Sequence, residues 1–216
     1  MNLHLEKILQ CSLLVSGVVA FSVAQAGTIV NIKGYGADGA GAYIYSYPVA
    51  PGTQVSATTL FNPVEISLAA GDYSLSDAWG KSGALYDAWN FQVSAAGSWS
   101  SHYLVAEDLR STGGGYKILL DTGAPGDPTC QYHFCAWGTE SQASAAFLGA
   151  APAKLHLSQA TTLAFVSGDY YLPDNAGGIS VNVAAVPEPE SVSLWLAGLL
   201  LTGFMVHRRN RSNQFF

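Results

Sequence analysis

The chain has 216 residues and a formal net charge of −6. This length fits one domain with short processing segments at its ends. Acidic residues outnumber basic ones (15 against 9). No basic stripe runs along the chain, which argues against nucleic acid as a partner. Charged residues make up only 11% of the chain and glycine is abundant, which is typical of an exported β protein.

The N-terminus has the composition of a secretory signal. Lys7 precedes an apolar run from Ile8 to Val23, and the small-residue sequence Ala24-Gln25-Ala26 follows it. A basic start, an apolar middle and small residues at a cleavage site predict a signal peptide over residues 1–26. The alternative is a buried first helix of the domain.

The C-terminus has a second processing pattern. Pro187 and Pro189 would end any preceding strand, since proline donates no backbone hydrogen bond. The uncharged segment from Ser191 to Val206 can form a membrane helix, although it is short for a bilayer core of about 30 Å. A basic cluster on the cytoplasmic side would complete it, and this cluster consists of Arg208, Arg209 and Arg211.

This tail resembles the PEP-CTERM sorting signal of exported proteins in Gram-negative bacteria. The residues that carry the resemblance are Pro187-Glu188-Pro189, the apolar span from Leu194 to Val206, and Arg208-Arg209. The resemblance implies an inner-membrane-anchored precursor, processing by an exosortase-type transpeptidase, and delivery to the cell surface or an exopolysaccharide matrix. The ending Asn213-Gln214-Phe215-Phe216 is slightly longer than in many such tails. An ordinary single-span anchor that is never cut is the alternative.

Residues 27–186 form the predicted domain, and residues 187–216 the tail. Short runs of alternating apolar residues, separated by glycine-rich turns, predict an all-β fold, either a β-sandwich or a jelly roll. Val64–Leu68 and Tyr73–Leu75, joined by a short turn, are predicted to form a hairpin. Ser100 to Leu109 is ambiguous between a strand and a short helix. Further strands are expected at Thr28–Lys33, Ala42–Tyr47, Tyr116–Leu120, Ala153–Leu157, Thr161–Val166 and Ile179–Val183.

The predicted domain holds two cysteines, Cys130 and Cys135, in one short loop. An even pair in an oxidising compartment predicts a disulfide between them. The alternative is a metal site made of Cys130, His133 and Cys135, which lacks a fourth ligand and the usual spacing of zinc ligands.

Aromatic residues concentrate between Tyr73 and Tyr103. Most are expected in the core. Trp79, however, lies among polar residues and glycine in Asp77-Ala78-Trp79-Gly80-Lys81. An exposed aromatic face suits the apolar face of a sugar ring, so Trp79 and Asp77 are the candidate carbohydrate-binding residues.

The segment before the last predicted strand ends in Asp174-Asn175-Ala176-Gly177-Gly178. It is similar to the turn before the final strand in galactose-binding-like sandwiches and some calcium-dependent lectins. Asp169, Asp174 and Asn175 offer side-chain oxygens, which calcium prefers. The alternative is an ordinary turn, with Asn175 in a left-handed conformation.

No catalytic motif occurs in the chain, neither G-x-S-x-G nor H-E-x-x-H, so we expect no enzyme and no cofactor other than possible calcium. His156 alternates with Leu155 and Leu157, which predicts that it faces solvent. Two functions remain: a structural or adhesive matrix protein, or a calcium-assisted carbohydrate-binding module with exopolysaccharide as the partner.

Overall fold

The computed structural model of the chain describes residues 27–44, 49–95, 97–123, 130–131, 134–169, 171–187 and 196–203. The predicted signal peptide lies outside the described residues, as do Glu188, Pro189, Arg208 and Arg209 of the predicted sorting signal. Residues 196–203 are helical. Within the described part of the chain, no helix has the length and apolar character needed to cross a membrane.

The described domain consists mainly of strands, which confirms the predicted all-β fold. One ten-residue helix, α1 (Glu140–Gly149), interrupts them. In chain order the strands are β1 Thr28–Lys33, β2 Gly41–Ala42, β3 Gln54–Val55, β4 Leu60–Phe61, β5 Val64–Leu68, β6 Gly71–Asp77, β7 Trp89–Asn90, β8 Trp99–Ser100, β9 Tyr103–Asp108, β10 Tyr116–Asp121, β11 Cys130–Gln131, β12 Phe134–Cys135, β13 Ala153–Leu157, β14 Thr161–Ser167 and β15 Ala176–Ala185.

These strands build two main antiparallel sheets. The first has the order β13-β6-β15-β7-β8, with β1 paired to β15 as well. The second has the order β3-β10-β9-β14-β5. Ser100 to Leu109, which the sequence left ambiguous, therefore contains strand β9. Two small pairs, β2 with β4 and β11 with β12, lie outside the main sheets.

The core lies between the two sheets. From the first sheet, Ile179 and Val181 of β15 are fully buried, and from the second, Phe165 of β14 and Val105 of β9. β1 and β13 alternate between inward and outward side chains, as the sequence predicts for strands with one face toward a core. β14 differs, because its residues from Leu163 to Ser167 are all buried. A strand buried on both faces gives a continuous apolar run instead of alternation.

The predicted hairpin of Val64–Leu68 with Tyr73–Leu75 is wrong, although both strands exist. β5 pairs with β14 in the second sheet, and β6 pairs with β13 and β15 in the first. The short connection between them therefore crosses from one sheet to the other. Apolar and polar residues alternate in the same way in a hairpin and in two strands of facing sheets, because one face of each strand packs on the core in both cases. The sequence pattern therefore could not distinguish the two arrangements.

A histidine and an aspartate form a buried pair inside the sandwich. His102 Nε2 lies 2.6 Å from Asp121 Oδ1, and both side chains are 1% exposed. Asp121 also accepts hydrogen bonds from the backbone amides of Val49 and Gly123. Burial alone would raise the pKa of Asp121, but these hydrogen bonds and the nearby His102 together hold it below its usual value. The pair joins the start of β9, the end of β10 and the segment at Val49.

Replacing Asp121 by alanine should lower the free energy of unfolding by about 3–5 kcal/mol, since a buried imidazole and two backbone amides lose their acceptor. Chemical denaturation at pH 7 measures the change. Because the folded pKa of Asp121 is lowered, its stabilising contribution is present above about pH 4 and is lost as the pH falls through the folded value.

The control is Asp72→Ala, which removes an exposed carboxylate paired with the exposed ring of His156. Its unfolding free energy should change little, as for other exposed pairs. An equal loss of stability in both variants would contradict a special role for the buried pair.

Candidate functional site

The sandwich has two distinct ends. β1 begins at Thr28 opposite Val183 of β15, so the domain starts and finishes at one end, which we call the tail end. The opposite end, where β1 stops at Lys33 and β15 starts at Ala176, is called the far end. The connections at residues 34–40, 91–98 and 168–175 lie there, because each follows or precedes a strand terminus at that end. The connection at 78–88 lies beside them: it leaves β6 opposite Ser180 in the middle of β15, and the amides of Leu85 and Tyr86 donate hydrogen bonds to the Ser180 hydroxyl.

The predicted calcium ligands lie together at the far end. Asp169 and Asn175 are both buried, and Asn175 Nδ2 donates a hydrogen bond of 3.1 Å to Asp169 Oδ2. The other carboxylate oxygen of Asp169 accepts a hydrogen bond from the backbone amide of Tyr171. Asp169 thus fixes the start of the loop and contacts its last residue, which brings two of the three predicted ligands into direct contact.

Asp174 lies close enough to Asp169 for the two carboxylates to interact electrostatically. Burial is the main cause that raises the pKa of Asp174, and the negative charge of Asp169 adds to it. Asp174 Oδ1 and Asn175 Oδ1 are buried without a hydrogen-bond partner among the described residues. Two unsatisfied oxygens beside a carboxylate fit the oxygen-ligand chemistry of calcium.

The same region lacks the other features of a metal centre. Among the described residues, no three His, Cys, Asp or Glu side chains are close enough to hold a metal ion. A cation between Asp169 and Asn175 also requires the Asn175 amide to turn, so that its oxygen and not its NH₂ group faces the carboxylate. Gly177, at φ 76°, makes the left-handed turn here, whereas Asn175 is extended at φ −90°.

The predicted carbohydrate-binding residues have different exposures. Trp79 is 49% exposed, whereas Asp77 is only 7% exposed. Asp77 Oδ1 accepts a 2.7 Å hydrogen bond from the backbone amide of Trp79, and its Oδ2 has no partner among the described residues. Burial raises the pKa of Asp77, with the charge of Asp87 adding to the shift. Asp77 therefore supports the loop that presents Trp79. Among the neighbouring aromatics, Tyr73, Trp89 and Tyr103 are buried, as expected of core residues.

Trp79 is one of several exposed apolar side chains on the far end and on the 78–88 loop beside it. Hydrogen bonds connect the far-end loops, since the amide of Gly36 donates to Leu172 and the amide of Val93 donates to Asp174. The 78–88 loop adjoins them where the amide of Gly178, near the start of β15, donates to Ala88. We call the surface formed by these loops the far-end surface. Its large exposed apolar side chains are Tyr35, Trp79, Leu85, Val93 and Tyr171.

A cavity of about 350 Å³ lies beside α1. Aromatic and hydroxyl-bearing side chains line it, together with the imidazole of the buried pair: Tyr103, Trp137, Phe147, Ser76, Thr122 and His102. Neither the buried pair nor this cavity could be predicted from the sequence, because their residues are far apart in the chain. The N-terminus of α1 did carry a signal, since Thr139 and Gln142 form a capping box.

The cysteine prediction falls on residues of which only the backbone is described. Cys130 and Cys135 stand directly opposite each other in the pairing of β11 with β12. Opposed residues of an antiparallel pair are about 4.5–5.5 Å apart at Cα, which is within the range of disulfides. The disulfide remains a prediction. His156, predicted to face solvent, is indeed exposed on β13.

Replacing Asp174 by asparagine should raise the melting temperature of the calcium-free protein at neutral pH. The folded state disfavours ionised Asp174, so its destabilising effect grows as the pH rises through the unfolded pKa toward the raised folded value. With calcium, the wild-type protein should have the higher melting temperature, because only it keeps both carboxylates as ligands. Thermal unfolding at pH 7 with calcium, and with a chelator, measures both effects. Identical calcium responses of the two proteins, or no response in either, would rule out the site.

Comparison with known proteins bears on the tail. The family model described as the PEP-CTERM protein-sorting motif matches residues 185–209. The match begins at Ala185, the last residue of β15. No curated protein and no solved structure matches the chain, so the resemblance of the domain to galactose-binding-like sandwiches remains a prediction. The sorting-signal prediction is confirmed: the chain carries a PEP-CTERM protein-sorting motif, which implies export and processing by an exosortase.

Proposed function

We propose that this protein is a non-catalytic component of the cell surface or exopolysaccharide matrix, which adheres through its far-end surface after an exosortase has processed its tail. One observation carries the proposal. The sorting motif leaves the sandwich at the tail end, whereas large exposed apolar side chains collect at the far end. Val93 and Tyr171 lie in loops that are separated from the motif by the length of β15, whose ten residues span roughly 30 Å at the usual rise of a strand.

This separation suits adhesion by an anchored protein. In a membrane-anchored precursor, the tail holds the tail end near the bilayer and directs the far end outward. Exposed aromatic and aliphatic side chains that cluster on one surface are typical of interaction sites. The far-end surface includes Trp79 and Tyr171, each about half exposed, whose rings offer rigid contact area at low entropic cost.

A calcium-assisted carbohydrate-binding module is the second candidate. Two observations favour it: the exposed indole of Trp79, and the buried contact of Asp169 with Asn175 beside the unpartnered oxygen of Asp174. Aromatic faces suit the apolar faces of sugar rings. Tyr171 follows Asp169 in the same loop and is 55% exposed, so a cation that ordered this loop would also fix an aromatic contact.

The processed protein should have ends near Gly27 and near the Pro187-Glu188-Pro189 segment. Signal peptidase cleavage after Ala26 and exosortase processing of the tail together produce them. Intact-mass analysis of protein recovered from the cell surface measures both ends. A surface form that still contains Arg208 would contradict processing of the tail.

Replacing Trp79 by alanine should weaken binding of the processed protein to the exopolysaccharide of the producing cells by about tenfold, as expected for loss of an aromatic anchor. Its stability should stay within about 0.5 kcal/mol of wild type, because the side chain is exposed. Co-sedimentation with the purified polysaccharide, with calcium and with a chelator, measures the binding.

The matched control is His156→Ala, which removes an exposed ring near the tail end. It should bind like wild type. Equal binding by the wild-type and Trp79→Ala proteins would contradict adhesion through Trp79. If the wild-type protein binds the polysaccharide in calcium but not in the chelator, the result would favour the calcium-assisted module over a purely adhesive surface.

A further inference from the structure

The sorting motif follows the folded domain without a spacer. Ala184 and Ala185 of β15 stand opposite Ser74 and Tyr73 of β6. The backbone amide of Val186 still donates a 2.8 Å hydrogen bond to the carbonyl of Asp72. Pro187, the first residue of the Pro-Glu-Pro sequence, comes directly afterwards. The chain therefore leaves the sheet only one residue before the motif.

Among the described residues, the end of the strand is paired on one edge. β1 begins at Thr28 opposite Val183, and beyond Val183 the pairing that the structure describes continues with β6. Because the amide of Val186 points toward β6, the amide and carbonyl of Ala185 point toward the open edge. On this edge Ala185 alone offers both backbone groups, because Pro187, the next residue that faces the same edge, has no amide; this is too little for an added strand to bind.

These residues have few contacts that would resist separation from β6. Ala184 is half-buried, Ala185 and Val186 are exposed, and the side chains of Ala184 and Ala185 are single methyl groups. Val183, in contrast, is 3% exposed and is paired on both edges. Strand ends with little burial open at low free energy, whereas core residues open only with the domain. Fraying from the tail end is therefore expected to stop at Val183.

We propose that the processing enzyme binds residues 184–187 in extended form after residues 184–186 have separated from β6, so that the end of β15 is part of its recognition segment. The inference rests on the proposed exosortase processing. Peptide-binding sites commonly hold their ligand as an added strand, through backbone groups that a paired strand cannot offer. Residues 184–186 can form such contacts only when their hydrogen bonds to β6 are released.

A cross-link between the strands tests the proposal. Ser74→Cys with Ala184→Cys places two cysteines opposite each other on β6 and β15. In the oxidised full-length precursor, incubated in membranes of the producing cells, tail processing should be at least about tenfold slower than in wild type, because the end of β15 can no longer open. Reduction should restore the wild-type rate.

The matched control is Ser67→Cys with Thr162→Cys, which joins the opposed pair of β5 and β14 in the other sheet. Oxidation of this variant should leave processing unchanged. A third variant adds about six Gly and Ser residues between Val186 and Pro187 of the cross-linked precursor, as a flexible spacer. If the enzyme only needs freely accessible chain before the motif, the spacer restores processing; if residues 184–186 are themselves recognised, as proposed, processing stays slow.

The outcomes separate the inference from the proposed function. An unprocessed wild-type precursor in the same membranes would overturn the processing itself. A wild-type precursor that is cut at the same rate as the oxidised Ser74–Ala184 cross-link would overturn only the inference. Restoration by the spacer would likewise overturn recognition of residues 184–186.

Discussion

The pairing of β15 is the constraint on which the rest of the structure depends. This strand pairs with β1 along one edge, and with β6 and then β7 along the other. Its inward side chains, Ile179, Val181 and Val183, fill the centre of the core. Because β1 is the first strand and β15 the last, their pairing closes the domain and brings its two termini to one end. The far-end loops are thereby placed at the opposite end.

The buried pair of His102 and Asp121 is the second constraint. Ionisable groups are rarely placed in an interior without several hydrogen bonds, since desolvation is costly. Here Asp121 accepts hydrogen bonds from two backbone amides as well as lying against His102. The carbonyl of His102 in turn accepts a hydrogen bond from the indole of Trp89, which is fully buried. This network connects β7, β9 and β10 near the cavity beside α1, so the loops around it share one rigid support.

The two ends of the domain present different side chains. The tail end carries strand termini and exposed charged side chains such as Asp72 and Arg110. On the far-end surface, Trp79 and Tyr171 are exposed, while Asp77 and Asp169 are buried and accept hydrogen bonds from the backbone amides of their loops. Carboxylates that accept hydrogen bonds from loop amides fix backbone conformation. Asp77 and Asp169 thus order the loops that carry the exposed aromatic rings.

The sequence by itself determined the sorting motif, the all-β class and most of the strands. These features depend on neighbours in the chain: prolines, an apolar span and a basic cluster for the motif, and alternation for strands such as β1 and β13. The start of helix α1 could also be predicted from the sequence, because Thr139 and Gln142 have the spacing of a capping box. Only the tertiary structure decided which strands pair. β5 and β6 alternate as a hairpin would, yet each joins a different sheet, because both sheets bury their inward faces in the same core. The exposure of Trp79, the contact of Asp169 with Asn175, and the meeting of His102 with Asp121 likewise depend on packing between distant segments, which no local pattern encodes.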